Sequence, residues 1–195
     1  MDFSTVRAGL KTIPSTTTLE ECMLLYSYVK QLEPNAIIVE LGTGLGRTTA
    51  AMAYACVGSS RKIYTIDNYS QAARFTQVVN SDWSINAAQD NLKRLNLEGH
   101  VTFLNYITTD PTLLTIIPTP IDMVFIDATH TYQDVVNDIN FWKAVLRING
   151  IMCGHDWGVE CSDGREVIKA VADTVLAASH NFEVQHTIWK CRRYW

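Results

Sequence analysis

The chain has 195 residues, 47% of them hydrophobic, and its 16 basic and 20 acidic side chains give a formal net charge of -4. That length suits one domain, 1–195, around a single core, and the acidic balance excludes a grip on nucleic acid, whose phosphates reward clustered Lys and Arg. The cysteines Cys22, Cys56, Cys153, Cys161 and Cys191 are odd in number and lack CxxC spacing, which excludes a disulfide framework and fits a reduced, cytoplasmic setting.

In chain order, Leu19, Met23, Tyr26 and Val29 recur at helical spacing, and Thr18 with Glu21 forms a capping box, so a helix over about 16–32 is expected ahead of the core. Pro34 and Asn35 end it. Ala36 to Leu41 is an aliphatic run of the kind found in strands buried on both faces. A glycine-rich turn follows, then a small-residue helix from Thr48 to Cys56 and a strand from Lys62 to Ile66 that ends on Asp67. Ser70 to Leu97 holds one or two helices, the clearer being Ile85 to Leu97, and Val101 to Ile107 is a third strand.

Pro111, Pro118 and Pro120 bracket a short helix or loop before a fourth strand, Asp122 to Ile126. Val135, Ile139, Trp142 and Leu146 define one face of a helix over Tyr132 to Leu146, closed by Asn149-Gly150. Ile151 to Gly154 is a fifth strand, Arg165 to Ala178 a helix, and Phe182 to Arg193 a final strand or hairpin. Within it the basic Lys190, Arg192 and Arg193 alternate with Trp189, Cys191 and Tyr194, as on a late strand. No apolar run approaches the ~20 residues that span a bilayer, so no membrane partner is expected.

Strands alternating with helices predict an α/β fold, a mainly parallel sheet with helices on both faces and ligands beyond the carboxyl ends of the strands. The sets that follow strands are Glu40 to Gly46, Asp67, Tyr106 to Thr108, Asp127 to His130, and Gly154 to Trp157. In the first, Gly42, Gly44 and Gly46 let a ligand approach the backbone and the next helix's N-terminus. A dinucleotide loop wants its third glycine where Arg47 stands, whereas Glu40 precedes the first glycine by two places. Asp67 ends the second strand, where a carboxylate accepts both ribose hydroxyls of a nucleoside.

The loop Glu40-Leu41-Gly42-Thr43-Gly44-Leu45-Gly46 resembles motif one of the S-adenosylmethionine-dependent methyltransferases. Asp127-Ala128-Thr129-His130-Thr131-Tyr132, with Asp138 and Trp142, and then Gly154-His155-Asp156-Trp157, resemble the small O-methyltransferases that include macrolide-sugar methyltransferases and the so-called cephalosporin hydroxylases. The likeness runs from about Ile37 to Trp189.

The resemblance implies a Rossmann-like methyltransferase fold and S-adenosylmethionine held by Glu40, Gly42, Thr43, Gly44, Gly46, Asp67, Asn68, Thr108 and Asp127. It also implies a divalent metal, Mg2+ by analogy, at Asp127, His155 and Asp156, with His130 as general base and a small-molecule hydroxyl as acceptor. Many relatives associate, so a homo-oligomer is an expectation too. His155 departs from the family's carboxylate, and imidazole is a softer ligand than magnesium prefers; a second reading makes it a hydrogen-bond partner of the ligands. Trp157 is a candidate acceptor wall. A non-catalytic nucleoside binder and a nicotinamide-dependent oxidoreductase are the alternatives. Binding alone needs no Asp-x-x-His, and the oxidoreductase is disfavoured by the glycine spacing and the absence of a Tyr-x-x-x-Lys pair.

Overall fold

In the computed structural model, which describes residues 2–158, 162–176 and 181–193, the chain opens on a helix that the sequence reading did not anticipate. This α1 (Phe3–Lys11) starts at Asp2, whose carboxylate accepts the backbone N–H groups of Ser4 and Thr5. The expected helix follows as α2 (Leu19–Lys30), with the Thr18–Glu21 capping box formed in both directions. Arg47 donates to the carbonyls of Ile13 and Thr17 at 2.7 and 2.9 Å, pinning the segment that joins these two helices.

The core alternates from there: β1 (Ile37–Leu41), α3 (Arg47–Cys56), β2 (Lys62–Ile66), α4 (Ala72–Val79), α5 (Ile85–Arg94), β3 (Val101–Leu104), α6 (Leu113–Ile116), β4 (Ile121–Ile126), α7 (Tyr132–Lys143), β5 (Leu146–Gly154), α8 (Ser162–Thr174), β6 (Glu183–Gln185) and β7 (Ile188–Arg192). The strands form a seven-stranded sheet in the order β3-β2-β1-β4-β5-β7-β6. β1 with β4, β4 with β5 and β2 with β3 are parallel, while β7 runs antiparallel to both β5 and β6. The order reverses at β1 and β4, the switch point where such sheets leave a crevice beyond their carboxyl ends.

Two compact units divide the chain: Met1–Ala36 with Thr43–Ile107, and Ile37–Gly42 with Thr108–Trp195. In the first, α3 buries every residue from Thr48 to Cys56, most of them small, so that α2 packs closely on it. α4 is its opposite, with no buried residue; Phe75 stacks on Trp83 with ring centroids 4.7 Å apart. In the second unit all six residues of β4 are buried. Its one carboxylate, Asp122, is satisfied by the N–H of Ile37 at 2.8 Å and by Arg147 at 2.5 Å. Trp142, Trp189 and Phe125 are the largest side chains wholly out of water there.

The helix before β5 is shorter than expected, and Asn149-Gly150 does not close it. α7 ends at Lys143 with Ala144 as its cap, and Leu146 already pairs with Ile121 in β5. The register then shifts, so that Met123 faces Ile151, and Asn149 adopts a left-handed φ of 63° within the strand. Asn tolerates that conformation in a bulge as readily as at a helix end. Backbone bonds to Arg193 from Asn149 and Gly150, at 2.8 and 3.0 Å, hold it on the sheet. β3 also stops early, leaving Tyr106 and Ile107 beyond it. Phe182 to Arg193 resolves into the β6–β7 hairpin. Cys161, Tyr194, the last two residues of the helix expected to reach Ala178, and residues 159–160 of the segment after Trp157 lie outside the described residues.

Candidate active site

In the first unit, the turn after β1 is tied to the end of β2. Thr43 and Thr65 share a hydroxyl hydrogen bond of 2.6 Å, and Gly44 donates its N–H to Oδ2 of Asp67 at 3.0 Å. Oδ1 of Asp67 accepts the N–H of Tyr69 at 2.7 Å, and the Tyr69 hydroxyl returns to the Gly44 carbonyl at 3.2 Å. Gly44 is thus held by the acid and by Tyr69, and its φ of +51° brings Trp83 so near that an added Cβ would lie 2.7 Å from the indole. Gly46 caps α3 in the left-handed conformation. Asn68 is exposed and turns its amide oxygen back to the N–H of Ser70.

In the second unit, β1 and β4 end side by side. Asp127 donates its N–H to the carbonyl of Leu41 at 2.8 Å, and a Cβ on Gly42 would fall 1.9 Å from the Asp127 carbonyl oxygen. Only glycine permits that approach. Glu40 is fully buried in β1 opposite Phe125. Thr108 is half-buried; its hydroxyl donates to Oδ1 of Asp138 at 2.5 Å and its carbonyl accepts the Trp142 indole N–H at 3.0 Å.

Beyond β4 and β5 four titratable side chains converge. Nε2 of His130 lies 2.9 Å from Oδ2 of Asp156 and 3.7 Å from Oδ1 of Asp127. Nδ1 of His155 lies 3.1 Å from Oδ1 of Asp156 and 3.6 Å from Oδ1 of Asp127, while its Nε2 shares a 3.0 Å hydrogen bond with the Thr187 hydroxyl. Asp156 reaches this place from a left-handed φ of 61°. His130 Nε2 is buried and makes no hydrogen bond: Oδ1 of Asp127 is too far at 3.7 Å, and Oδ2 of Asp156, though 2.9 Å away, is out of line. Burial by itself would lower the His130 pKa, but the two carboxylates outweigh it and raise it. Burial likewise pushes Asp156 upward, and His130 and His155 overcome it to hold the carboxyl below its usual range.

The same atoms fit a divalent cation. One ligand atom each from Asp127, His130 and Asp156 lies within 4.8 Å of the others, and an orphaned buried nitrogen is what an ion would satisfy. A mixed set of carboxylate and imidazole suits manganese or zinc as well as magnesium. His155 faces both carboxylates from the other side, but the triad that meets this spacing contains His130 in its place. Trp157 packs on Phe182 with centroids 5.0 Å apart, and its N–H donates to the Thr187 carbonyl at 3.0 Å.

The model of one protein family, described as a methyltransferase domain, matches residues 39–157. The chain belongs to this methyltransferase-domain family. An O-methyltransferase from Bacillus cereus in complex with SAH is similar in structure, with a TM-score of 0.69 at 16% identity over 99% of this chain and 92% of that one. Cofactor-bound Rv0187 from MTB gives 0.69 at 15% over 97% and 88%. TomG, an O-methyltransferase of Streptomyces achromogenes involved in tomaymycin synthesis and in complex with SAM, gives 0.63 at 16% over 91% and 80%. No curated protein sequence matches the chain. Its fold is the Rossmann-like one of S-adenosylmethionine-dependent methyltransferases, as expected.

The methyltransferase match begins in β1 and ends at Trp157, so it contains the glycine turn, Asp67 and the whole Asp127–His130–His155–Asp156 cluster. Two participants escaped the sequence reading. Thr187 lies 32 residues from His155 on a hairpin turn without a chemical signature. Tyr69 was one aromatic residue in a segment with no periodicity. Asp138 and Trp142 were noted within the family pattern and Thr108 as a donor contact, but not that the first two meet the third. No helix of this methyltransferase is long and apolar enough to cross a membrane among the described residues.

Proposed function

We propose that the chain is an S-adenosylmethionine-dependent O-methyltransferase acting on a hydroxyl of a small molecule, a sugar, polyol or natural product, with His130 as the proton acceptor. The observation that carries this reading is the buried His130 Nε2, without a hydrogen bond and flanked by Asp127 and Asp156, in a methyltransferase-family chain. Bound S-adenosylmethionine supplies a sulfonium methyl group whose leaving sulfur needs no acid, so the protein's tasks are alignment and removal of the hydroxyl proton.

Each task has its residues. Asp67, fixed by Gly44 and Tyr69, accepts ribose hydroxyls, while the backbone at Gly42, Thr43, Gly44 and Gly46 receives the rest of the donor; Glu40, Asn68, Thr108 and Asp127 complete the proposed donor set. His130 takes the acceptor's proton on Nε2 when it enters the reaction as the neutral imidazole, and the two carboxylates, which favour the protonated ring, stabilise the imidazolium that forms. Asp127 and Asp156, with His155 braced by Thr187, would hold a divalent ion, magnesium or manganese, whose charge lowers the pKa of a hydroxyl. The spacing of Asp127, His130 and Asp156 favours one second reading, in which His130 is itself a ligand.

Calorimetric titration with S-adenosylhomocysteine, followed by product assays over hydroxylated acceptors, tests the reading. Saturable binding that is weakened by roughly 1.5–3 kcal/mol in Asp67→Ala, the scale of charge-assisted hydrogen bonds, is the expected result. A folded wild-type protein that binds neither donor nor product would refute it.

A further inference from the structure

Tyr132 opens α7 two residues after His130, and three different parts of it are engaged from α8. Its backbone N–H, one of the helix-start donors that no intrahelical carbonyl can serve, donates to Oε2 of Glu166 at 3.2 Å. The Lys169 ammonium stands 3.7 Å from the centre of its ring, and its hydroxyl donates to Oδ2 of Asp173 at 2.9 Å. Lys169 completes the set by donating to the same Asp173 oxygen at 3.2 Å. Glu166, Lys169 and Asp173 follow the i, i+3, i+7 spacing of one helix face, whereas Val167, Ala170 and Val171 are buried on another. Exposed ion pairs contribute little by themselves, so stability alone is a poor account of a face whose members all meet one residue.

The place of Tyr132 supplies a better one. The four-residue cluster is assembled from two loops: Asp127 and His130 lie between β4 and α7, His155 and Asp156 between β5 and α8. β4 and β5 stay paired up to Ile126 and Gly154, which fixes the loops where they leave the sheet. At their far ends α7 and α8 meet through Tyr132. We propose that Tyr132 and Glu166 are positioning residues, a clasp that sets the distance between the two loops and so the 2.9 Å approach of His130 Nε2 to Asp156 Oδ2. Glu166 also brings negative charge to the start of α7, where the helix dipole favours it. The inference rests on the reading of these four side chains as the reaction centre, and all its residues belong to the second compact unit.

The test compares Glu166→Ala, which removes the acceptor of the Tyr132 N–H, with Glu166→Gln, which keeps one, and Tyr132→Phe, which keeps the ring and loses the hydroxyl. The first readout is the pair of ring-nitrogen chemical shifts of His130 at one fixed pH, in histidine-labelled protein, identified by their absence from His130→Ala. The second is the affinity for manganese, the probe ion, by calorimetry. In Glu166→Ala the His130 shifts should move and manganese should bind about tenfold more weakly, the lower end for loss of a partner behind a ligand. S-adenosylhomocysteine affinity and the metal-free unfolding temperature should stay near their wild-type values. Tyr132→Phe should fall between the two, and Glu166→Gln should restore most of both readouts. His130 shifts that stay in place in Glu166→Ala overturn the clasp. So does a change that Glu166→Gln fails to repair, or one matched by an equal loss of S-adenosylhomocysteine affinity and unfolding temperature, the mark of a merely stabilising contact. A wild-type protein that binds no manganese overturns the cation reading alone, and the His130 shifts then decide the clasp.

Discussion

His130 Nε2 and Asp156 Oδ2 are 2.9 Å apart across 26 residues of chain, yet no hydrogen bond joins them. Carboxylate charge from Asp156 and Asp127 surrounds a nitrogen whose own bonding direction is left open. The carboxylates favour a proton on this ring, so His130 serves as a base when it enters the reaction neutral, and its imidazolium is stabilised once formed.

His130→Ala should accordingly bind the methyl donor as the wild type does while turning over about a hundredfold to ten-thousandfold more slowly, the range for loss of a positioned base. Single-turnover assays at saturating donor measure this directly. Turnover near the wild-type rate on the true acceptor would show that the proton leaves by another route, and loss of cation binding together with turnover would make His130 a ligand.

Manganese should raise the unfolding temperature of the wild-type protein but not of Asp127→Asn or Asp156→Asn. An ion at a hundred times its dissociation constant contributes about 2.7 kcal/mol. Because the carboxylates favour a proton on His130, cation binding should also release protons, visible as a dependence of calorimetric heat on the buffer's ionisation enthalpy. Equal thermal behaviour with manganese and with a chelator would dispose of the site.

Gly42→Ala should be more damaging than Gly44→Ala, although both glycines have positive φ. At Gly44 the obstacle is the Trp83 side chain, 2.7 Å from the added Cβ, which can swing aside; at Gly42 it is the Asp127 carbonyl, 1.9 Å away, which cannot. Chemical denaturation should give roughly 1–3 kcal/mol of backbone strain for Gly44→Ala and a larger loss, or no folding, for Gly42→Ala. The reverse order would mean that the β1 and β4 ends are less rigidly joined than their hydrogen bond implies.

Asp138 predicts a pH dependence of stability. Burial is the main cause of its shift from 3.8 to about 7, with the Asp134 charge adding to it and the Thr108 hydrogen bond opposing it. Between these values the unfolded chain has lost the proton and the folded chain keeps it. This group's contribution is therefore full below pH ~4 and lost as pH rises through ~7, by an amount on the order of a few kcal/mol. Wild-type minus Asp138→Asn stability, measured by denaturant at several pH values, should fall over that window and level off above it. A flat difference would mean that the carboxyl is ionised in the fold throughout.

The glycine turn and the strand-end acid were legible because their signals are local. Gly42, Gly44 and Gly46 announce a turn that side chains would obstruct, and Asp67 closes the strand that follows. The cluster was legible in composition but not in geometry: Asp127, His130, His155 and Asp156 could be named, but which imidazole nitrogen faces which carboxylate depends on backbone angles such as the left-handed φ of Asp156. Asn149-Gly150 misled because the same dipeptide serves a helix end and a strand bulge, and the pairing with Arg193 that decides between them is formed 44 residues later. Thr108 was expected to contact the donor, and only the folded helix reveals that its hydroxyl is already taken.

Thr187 grips His155 by its hydroxyl and Trp157 by its carbonyl, and that grip makes the β6–β7 hairpin a tensioner for chemistry encoded much earlier in the chain. A frameshift, fusion or proteolytic nick that peels β7 from β5 would act on the reaction centre without altering any of its acidic or imidazole groups. Loss of activity on C-terminal damage should therefore precede loss of the parallel sheet.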